Sequence, residues 1–270
     1  MYTKIMSAVA LSVSFFPSAQ AAAVVQTFTF DNPLILGSSA APEVWYVDRY
    51  APAGFQTTGG RLIETISAAD SASNRPPAQQ DTFYDTQGRK YDTKKGTTGV
   101  TVDLFVASSY SGLGQRIAGL WGTGLDAANG IQSYPIIEYT TVGGSHFQGW
   151  DSAGGFTNYG LPTGFVFDID HTIGFFLNNN TISYTLDGSV LGAVNAYGAL
   201  DITNVMLQGY NKFPANSKGA YSISWDNLNI SSPGTVPEPA SLALVMVALT
   251  GVGYASRKKK MLPAKVLTIS

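Results

Sequence analysis

The sequence predicts an all-β protein, an antiparallel β-sandwich, and three observations carry that prediction. The first is alternation. Val100, Val102, Leu104 and Val106 fall on one face of a run whose other face is Thr101, Asp103 and Phe105. The second is turn chemistry. Asn178-Asn179-Asn180 and Asp187-Gly188 separate three strand-like runs between His171 and Gly192, residue types that tolerate positive φ. The third is composition: 29 glycines with abundant Tyr, Thr, Ser and Asn, and no sustained helical period in the body of the chain. Apolar residues make up 44% and charged ones 13% of 270 residues, so the chain can bury a large core without being disordered.

Taken in order, Phe28 and Phe30 alternate with Thr27, Thr29 and Asp31. At the other end Tyr221, Ile223 and Trp225 alternate with Ser222, Ser224 and Asp226. Both segments are aromatic on one face, so the reading pairs the strand near Val24–Phe30 with that near Tyr221–Ile230. The stretch from Ala69 to Gly99 is irregular, broken by Asn74-Arg75-Pro76-Pro77 and Lys94-Lys95-Gly96, and is read as a long loop with a short strand around Thr82–Tyr84. No repeat and no internal linker is visible, so the body is one domain of about ten to fourteen short strands.

The two ends differ from the body. Lys4 followed by the apolar run Ile5–Phe16 and by Ala19-Gln20-Ala21 has the form of a signal peptide, residues 1–21, with a short signal helix and cleavage after Ala21. At the other end Val236-Pro237-Glu238-Pro239 precedes an apolar stretch, and Arg257-Lys258-Lys259-Lys260 follows it. Ala240 to Ser256 meets the lower limit for a transmembrane helix, roughly 17–25 residues. The basic cluster would stay cytoplasmic and hold the body outside. The resulting division is 1–21 signal peptide, 22–231 sandwich domain, 232–260 linker, helix and basic stop cluster, and 261–270 a C-terminal extension.

Charge supports this layout. Between Ala22 and Thr235 ten Lys and Arg stand against seventeen Asp and Glu, a net −7. The remaining positive charge sits in the ends as a topology signal. An acidic body repels nucleic acid, which is excluded as a partner, and favours a neutral or cation-bridged glycan over an anionic one. Cysteine is absent, which excludes disulfides and thiolate sites.

The order Pro-Glu-Pro, apolar helix, basic cluster resembles the PEP-CTERM sorting signal of Gram-negative bacteria. The resemblance implies recognition of Pro237, Glu238 and Pro239 by an exosortase-type membrane enzyme. It also implies an inner-membrane-anchored precursor and delivery to the cell surface or extracellular matrix. Within the body, Trp45-Tyr46-Val47-Asp48-Arg49-Tyr50-Ala51-Pro52-Ala53-Gly54-Phe55 resembles the opening of concanavalin A-like (laminin G-like) sandwiches. The hairpin Phe175–Gly188 and the closing Trp225-Asp226-Asn227-Leu228 are similar to pieces of the same jelly roll.

Catalytic chemistry is sparse in the sequence. Hydrolases on that fold use paired carboxylates, often Glu-x-Asp-x-x-Glu. The body has three glutamates, Glu43, Glu64 and Glu138, none with a carboxylate at i+2. The one such pair, Asp168 and Asp170, reads as a solvated corner. His146 and His171 lie in separate segments and read as structural. No catalytic residue, metal ligand or cofactor is assigned. Seven aromatics crowd residues 121–159, and although such residues also fill sandwich cores, Trp121, Trp150 and Tyr159 are singled out as candidate glycan contacts. The leading expectation is a non-catalytic surface protein that contacts exopolysaccharide or envelope glycan. The alternatives are a glycan hydrolase or lyase of this fold, and a purely structural matrix component.

The tail generates a first prediction. Protein recovered from its native host lacks everything beyond about Pro239, and intact-mass spectrometry decides it. A mass that includes Arg257–Lys260 would show a permanent anchor instead.

Overall fold

A computed structural model describes residues 22–212 and 220–233. The signal peptide, the Pro237-Glu238-Pro239 motif, the apolar helix, the basic cluster Arg257–Lys260 and the extension 261–270 all lie outside the described residues. Among those described there is no α-helix, and no helix is long and apolar enough to cross a membrane.

Residues 22–233 form one compact unit of seventeen strands, more than the ten to fourteen expected. They are β1 Ala22–Phe28, β2 Leu36–Gly37, β3 Trp45–Val47, β4 Gly54–Thr58, β5 Arg61–Ile66, β6 Thr86–Asp92 and β7 Gly99–Val106. Next come β8 Arg116–Leu125, β9 Ile131–Ser133, β10 Ile136–Thr140, β11 His146–Asp151 and β12 Gly155–Tyr159. The last are β13 Ile169–Asn178, β14 Thr181–Leu186, β15 Ser189–Asn195, β16 Asp201–Tyr210 and β17 Tyr221–Pro233.

The strands form two packed sheets. One runs β15-β14-β13-β7-β17-β5-β4, with β1 also on β17. The other runs β12-β11-β10-β8-β16-β6-β3-β2, with β9 on β8. The pairings are antiparallel except for β2 with β3. This is a concanavalin A-like jelly-roll sandwich, the predicted class.

Alternation does what the sequence implies. Val100, Val102, Leu104 and Val106 on β7 are fully buried, while Thr101, Asp103 and Phe105 are not. The two hairpin turns are tight: Asn178 faces Thr181 and Leu186 faces Ser189. Asn179, Asn180, Asp187 and Gly188 all have positive φ, as a type I′ turn requires. The terminal strands pair as read, Phe28 opposite Leu228, and both Phe28 and Trp225 pack in the core. Strand β17 reaches Pro233, two residues past the expected domain edge.

One expectation is corrected. Thr82–Tyr84 is not a strand but part of a 3₁₀ turn, Thr82–Asp85, the fourth of four such turns between Ala68 and Asp85. The reason is tertiary. Arg75, fully buried, donates to the carbonyls of Asp70 and Asn211 and to Asp85 Oδ1 at 2.9 Å. That ion pair and its backbone contacts gather the irregular segment against the end of β16 instead of letting it extend.

A second buried acid has no such partner. Glu64 sits on the inward face of β5 between Leu62 and Ile66, fully buried. Trp225 Nε1 donates to its Oε2 at 3.1 Å. Oε1 lacks a well-formed hydrogen bond, although the Gly209 amide approaches it. Desolvation outweighs these donors and pushes the carboxyl up to about 8 from its ordinary 4.5. The folded chain keeps a proton that the unfolded chain releases near pH 4.5. This contribution to stability is therefore intact below pH 4.5 and is lost as pH rises toward 8. Thermal melts should show a wild-type loss on the order of 4 kcal/mol between pH 4.5 and 8 that Glu64→Gln does not share. Equal losses in both proteins would refute the assignment.

Candidate functional site

The outer face of the nine-stranded sheet carries a groove of about 360 Å³, lined by Arg49, Arg116, Trp121, Tyr134, Trp150 and Phe156 among others. Strand register builds it. On β10, Glu138 alternates with the core-facing Ile137 and Tyr139 and so points to the outer face. Its cross-strand partners are Gln148 on β11 and Gly119 on β8, and Gly119 in turn pairs with Gln208 on β16. Gly119 has no side chain to intervene; a Cβ there would collide with Gln208 Nε2 and Glu138 Cγ. Glu138 and Gln208 therefore meet across an intervening strand, Nε2 to Oε1 at 2.9 Å.

Four more donors complete the shell. Gln148 Nε2 and Arg116 Nε give Oε2 hydrogen bonds at 2.8 and 2.7 Å. Trp121 Nε1 reaches Oε1 at 3.0 Å, and Arg116 Nη2 bonds the same oxygen. Five donors and no acceptor face the buried carboxylate, the complement of an ionised group. Arg116 reaches it because of a bulge. The β8–β10 register shifts between Tyr139 and Thr140, so Ile117 and Ala118 both turn inward and Arg116 returns to the outer face. Burial pulls the Arg116 guanidinium down, but the Glu138 charge and hydrogen bonds outweigh it and hold the guanidinium above its ordinary range.

Aromatic rings wall the groove. Trp150 and Phe156 meet edge to face at 4.9 Å. The Arg116 guanidinium lies 5.0 Å from the Phe156 ring and 4.4 Å from that of Tyr210. Burial raises the Tyr210 phenol above its usual range, against the opposing effect of Arg116, so it stays a proton donor at neutral pH. Glu138 is the carboxylate beneath this groove. Asp48, which follows β3, lies beyond Arg49 and Trp121 from it and pairs with Arg49 and Lys90.

The three sequence candidates separate. Trp121 and Trp150 line the groove, each partly exposed. Tyr159 does not. It pairs with the core-facing Phe147 and packs on the core beside Gly149, Gly192 and Tyr184, so it is corrected to a packing residue. Asp168 caps the Ser108 amide at positive φ, and Asp170 holds Arg61, both away from the groove. His171 is structural: Asp187, the Val166 carbonyl and the Phe165 ring enclose it. Sequence reading passed over Glu138, Arg116, Arg49, Gln148, Gln208 and Tyr210. The available signal was a glutamate inside the otherwise uncharged run Ile136-Ile137-Glu138-Tyr139.

The fold defines the class: a concanavalin A-like jelly roll with an aromatic-walled groove that carries two arginines. The chain also carries, at residues 235–260, the PEP-CTERM protein-sorting motif. It is thus an exported protein sorted through the membrane, with an exosortase-type enzyme as its processing partner.

No curated protein sequence matches the chain. Solved structures match its fold. The catalytic domain of an endo-1,3-β-glucanase (laminarinase) from Thermotoga petrophila RKU-1 is 12% identical, with TM-score 0.53, covering 80% of this chain and 100% of that one. A chain reported with endo-acting O-glycanases of the human gut microbiota that initiate mucin breakdown is 13% identical, TM-score 0.54, covering 78% and 100%. A non-specific endo-β-1,3(4)-glucanase of family GH16 is 11% identical, TM-score 0.52, covering 79% and 96%. These chains are glycan-active enzymes. The expectation of a domain without catalysis is corrected on that ground, because scarcity of glutamate does not set this fold outside glycoside hydrolysis.

The shell around Glu138 generates a prediction. Arg116→Met leaves a buried carboxylate without its bidentate partner and costs on the order of 3–5 kcal/mol in chemical denaturation. Adding Glu138→Gln recovers much of that loss. A double variant no more stable than the single one would count against the pairing.

Proposed function

We propose that the exported domain is a glycan-cleaving enzyme, an endo-acting hydrolase, that seats a polysaccharide along the groove of the nine-stranded sheet. The observation that carries the reading is Glu138, a buried carboxylate bonded to Arg116 and Trp121 directly beneath the aromatic-walled groove that these two residues line, on a fold shared with glucanases and an O-glycanase. Trp121, Trp150 and Phe156 offer ring faces and edges on which sugars stack. Gln148, Gln208 and Arg116 hold the carboxylate in one orientation.

An ionised carboxylate stabilises the positive charge that develops at an anomeric carbon during glycosidic cleavage. Retaining cleavage by two carboxyls needs a separation of about 5–5.5 Å, and Asp48, the acid next along the groove, is taken up by Arg49 and Lys90. In this proposal the Tyr210 phenol, across Arg116 from Glu138, protonates the leaving oxygen as the glycosidic bond breaks, water adds to the anomeric carbon, and the proton that this water releases returns to the Tyr210 phenolate. Final delivery of the mature protein to the cell surface or matrix belongs to the same proposal.

The test is release of reducing ends from a panel of neutral and acidic polysaccharides by the mature protein. Glu138→Gln should lower release at least about 100-fold, and Tyr210→Phe by a comparable factor, with melting temperature recorded for each. Trp121→Ala should act mainly by raising KM. No release from any glycan, or full activity in a folded Glu138→Gln protein, overturns the reading.

A further inference from the structure

The groove has a cation that the described residues do not use up. Arg49, directly after β3, lies 4.3 Å from the Phe83 ring and 4.7 Å from the Trp121 ring. Its ion-pair partner among the described residues is Asp48, and the contact is at Nε, 3.1 Å from Oδ2 and off the hydrogen-bond direction. Asp48 is meanwhile held more closely by Lys90, Nζ to Oδ1 at 2.6 Å. One carboxylate is thus shared between two cations. The terminal nitrogens of Arg49 have no hydrogen-bond partner among the described residues.

The neighbouring charges point the same way. Burial pulls the Arg49 guanidinium below its ordinary range, Asp48 opposes this, and nearby Arg116 adds to the lowering. Arg116 is satisfied by Glu138, so its repulsion is partly offset, while Arg49 keeps an uncommitted positive edge. Two rings, Phe83 and Trp121, lie against the guanidinium, and its terminal nitrogens are left for a polar partner. A planar carboxylate meets that edge with two parallel N–H···O bonds, which a hydroxyl does not.

We propose that the groove selects acidic glycan and that Arg49 binds the carboxylate of a uronic acid residue beside Trp121. The inference rests on the glycan reading of the same groove and names its substrate class. It reverses the expectation from net charge: the body is acidic as a whole, but recognition within a groove is set by charges at contact distance, and salt screens the distant ones beyond about 8–10 Å.

The experiment is calorimetric titration of the mature protein with an oligogalacturonide and with the same oligosaccharide after its carboxyls are reduced to hydroxymethyl groups. The acidic form should bind at least tenfold more tightly at 50 mM salt, with the difference shrinking at 500 mM. Arg49→Met, which keeps a long apolar stem against Trp121, should abolish the preference but retain binding of the reduced form. Arg49→Lys should keep only part of the preference, and melts confirm that both variants fold. Equal or tighter binding of the reduced oligosaccharide overturns this inference and leaves the glycan reading standing. So does a preference that survives in Arg49→Met. Binding of neither form also overturns this inference, and the glycan reading is then decided by the reducing-end panel alone.

Discussion

A carboxylate removed from water must be met by donors, and in this domain meeting Glu138 organises four adjacent strands. Its partners come from β8, β11 and β16 as well as from the intervening Gly119, which contributes by having no side chain. The requirement fixes the orientation of Trp121, which gives up its indole N–H to the floor and turns its ring to the wall. It also holds Arg116 between the Glu138 carboxylate and the Tyr210 ring. Loss of the carboxylate would release all of these at once, because donors buried without an acceptor are costly.

Two other acids are buried among the described residues, and the three show how environment divides one chemistry. Asp85 is bonded to a buried arginine and anchors an irregular segment. Glu64 has an indole donor and little else, so its neutral form prevails over a wide pH range. Glu138 has five donors and lies beneath a groove that two of its partners, Arg116 and Trp121, line. Only the last is joined directly to residues that a ligand could touch.

Charge acts on two scales here. The net −7 of the exported body governs solubility and long-range encounter. At the groove the charges are Arg49 and Arg116, paired with Asp48 and Glu138, an arrangement that leaves the terminal edge of Arg49 without a hydrogen-bond partner among the described residues. Shared fold with neutral-glucan and mucin-glycan enzymes leaves the occupant of such a groove to these local contacts.

The sequence by itself determined the sandwich class, the pairing of the first and last strands, the two positive-φ hairpins and the sorting tail. Each of these follows from signals that are local or periodic: alternation with period two, turn residues, and the order of a short motif. It also pointed to Trp121 and Trp150. Tertiary structure alone decided that Tyr159 faces the core, since period-two alternation does not say which face is inward. It decided too that Thr82–Asp85 coils rather than extends, because Arg75 recruits it to the end of β16. The bulge that brings Arg116 out, and the glycine gap through which Gln208 reaches Glu138, join residues up to 92 positions apart in the chain. No spacing rule along the chain encodes that encounter; cross-strand register creates it.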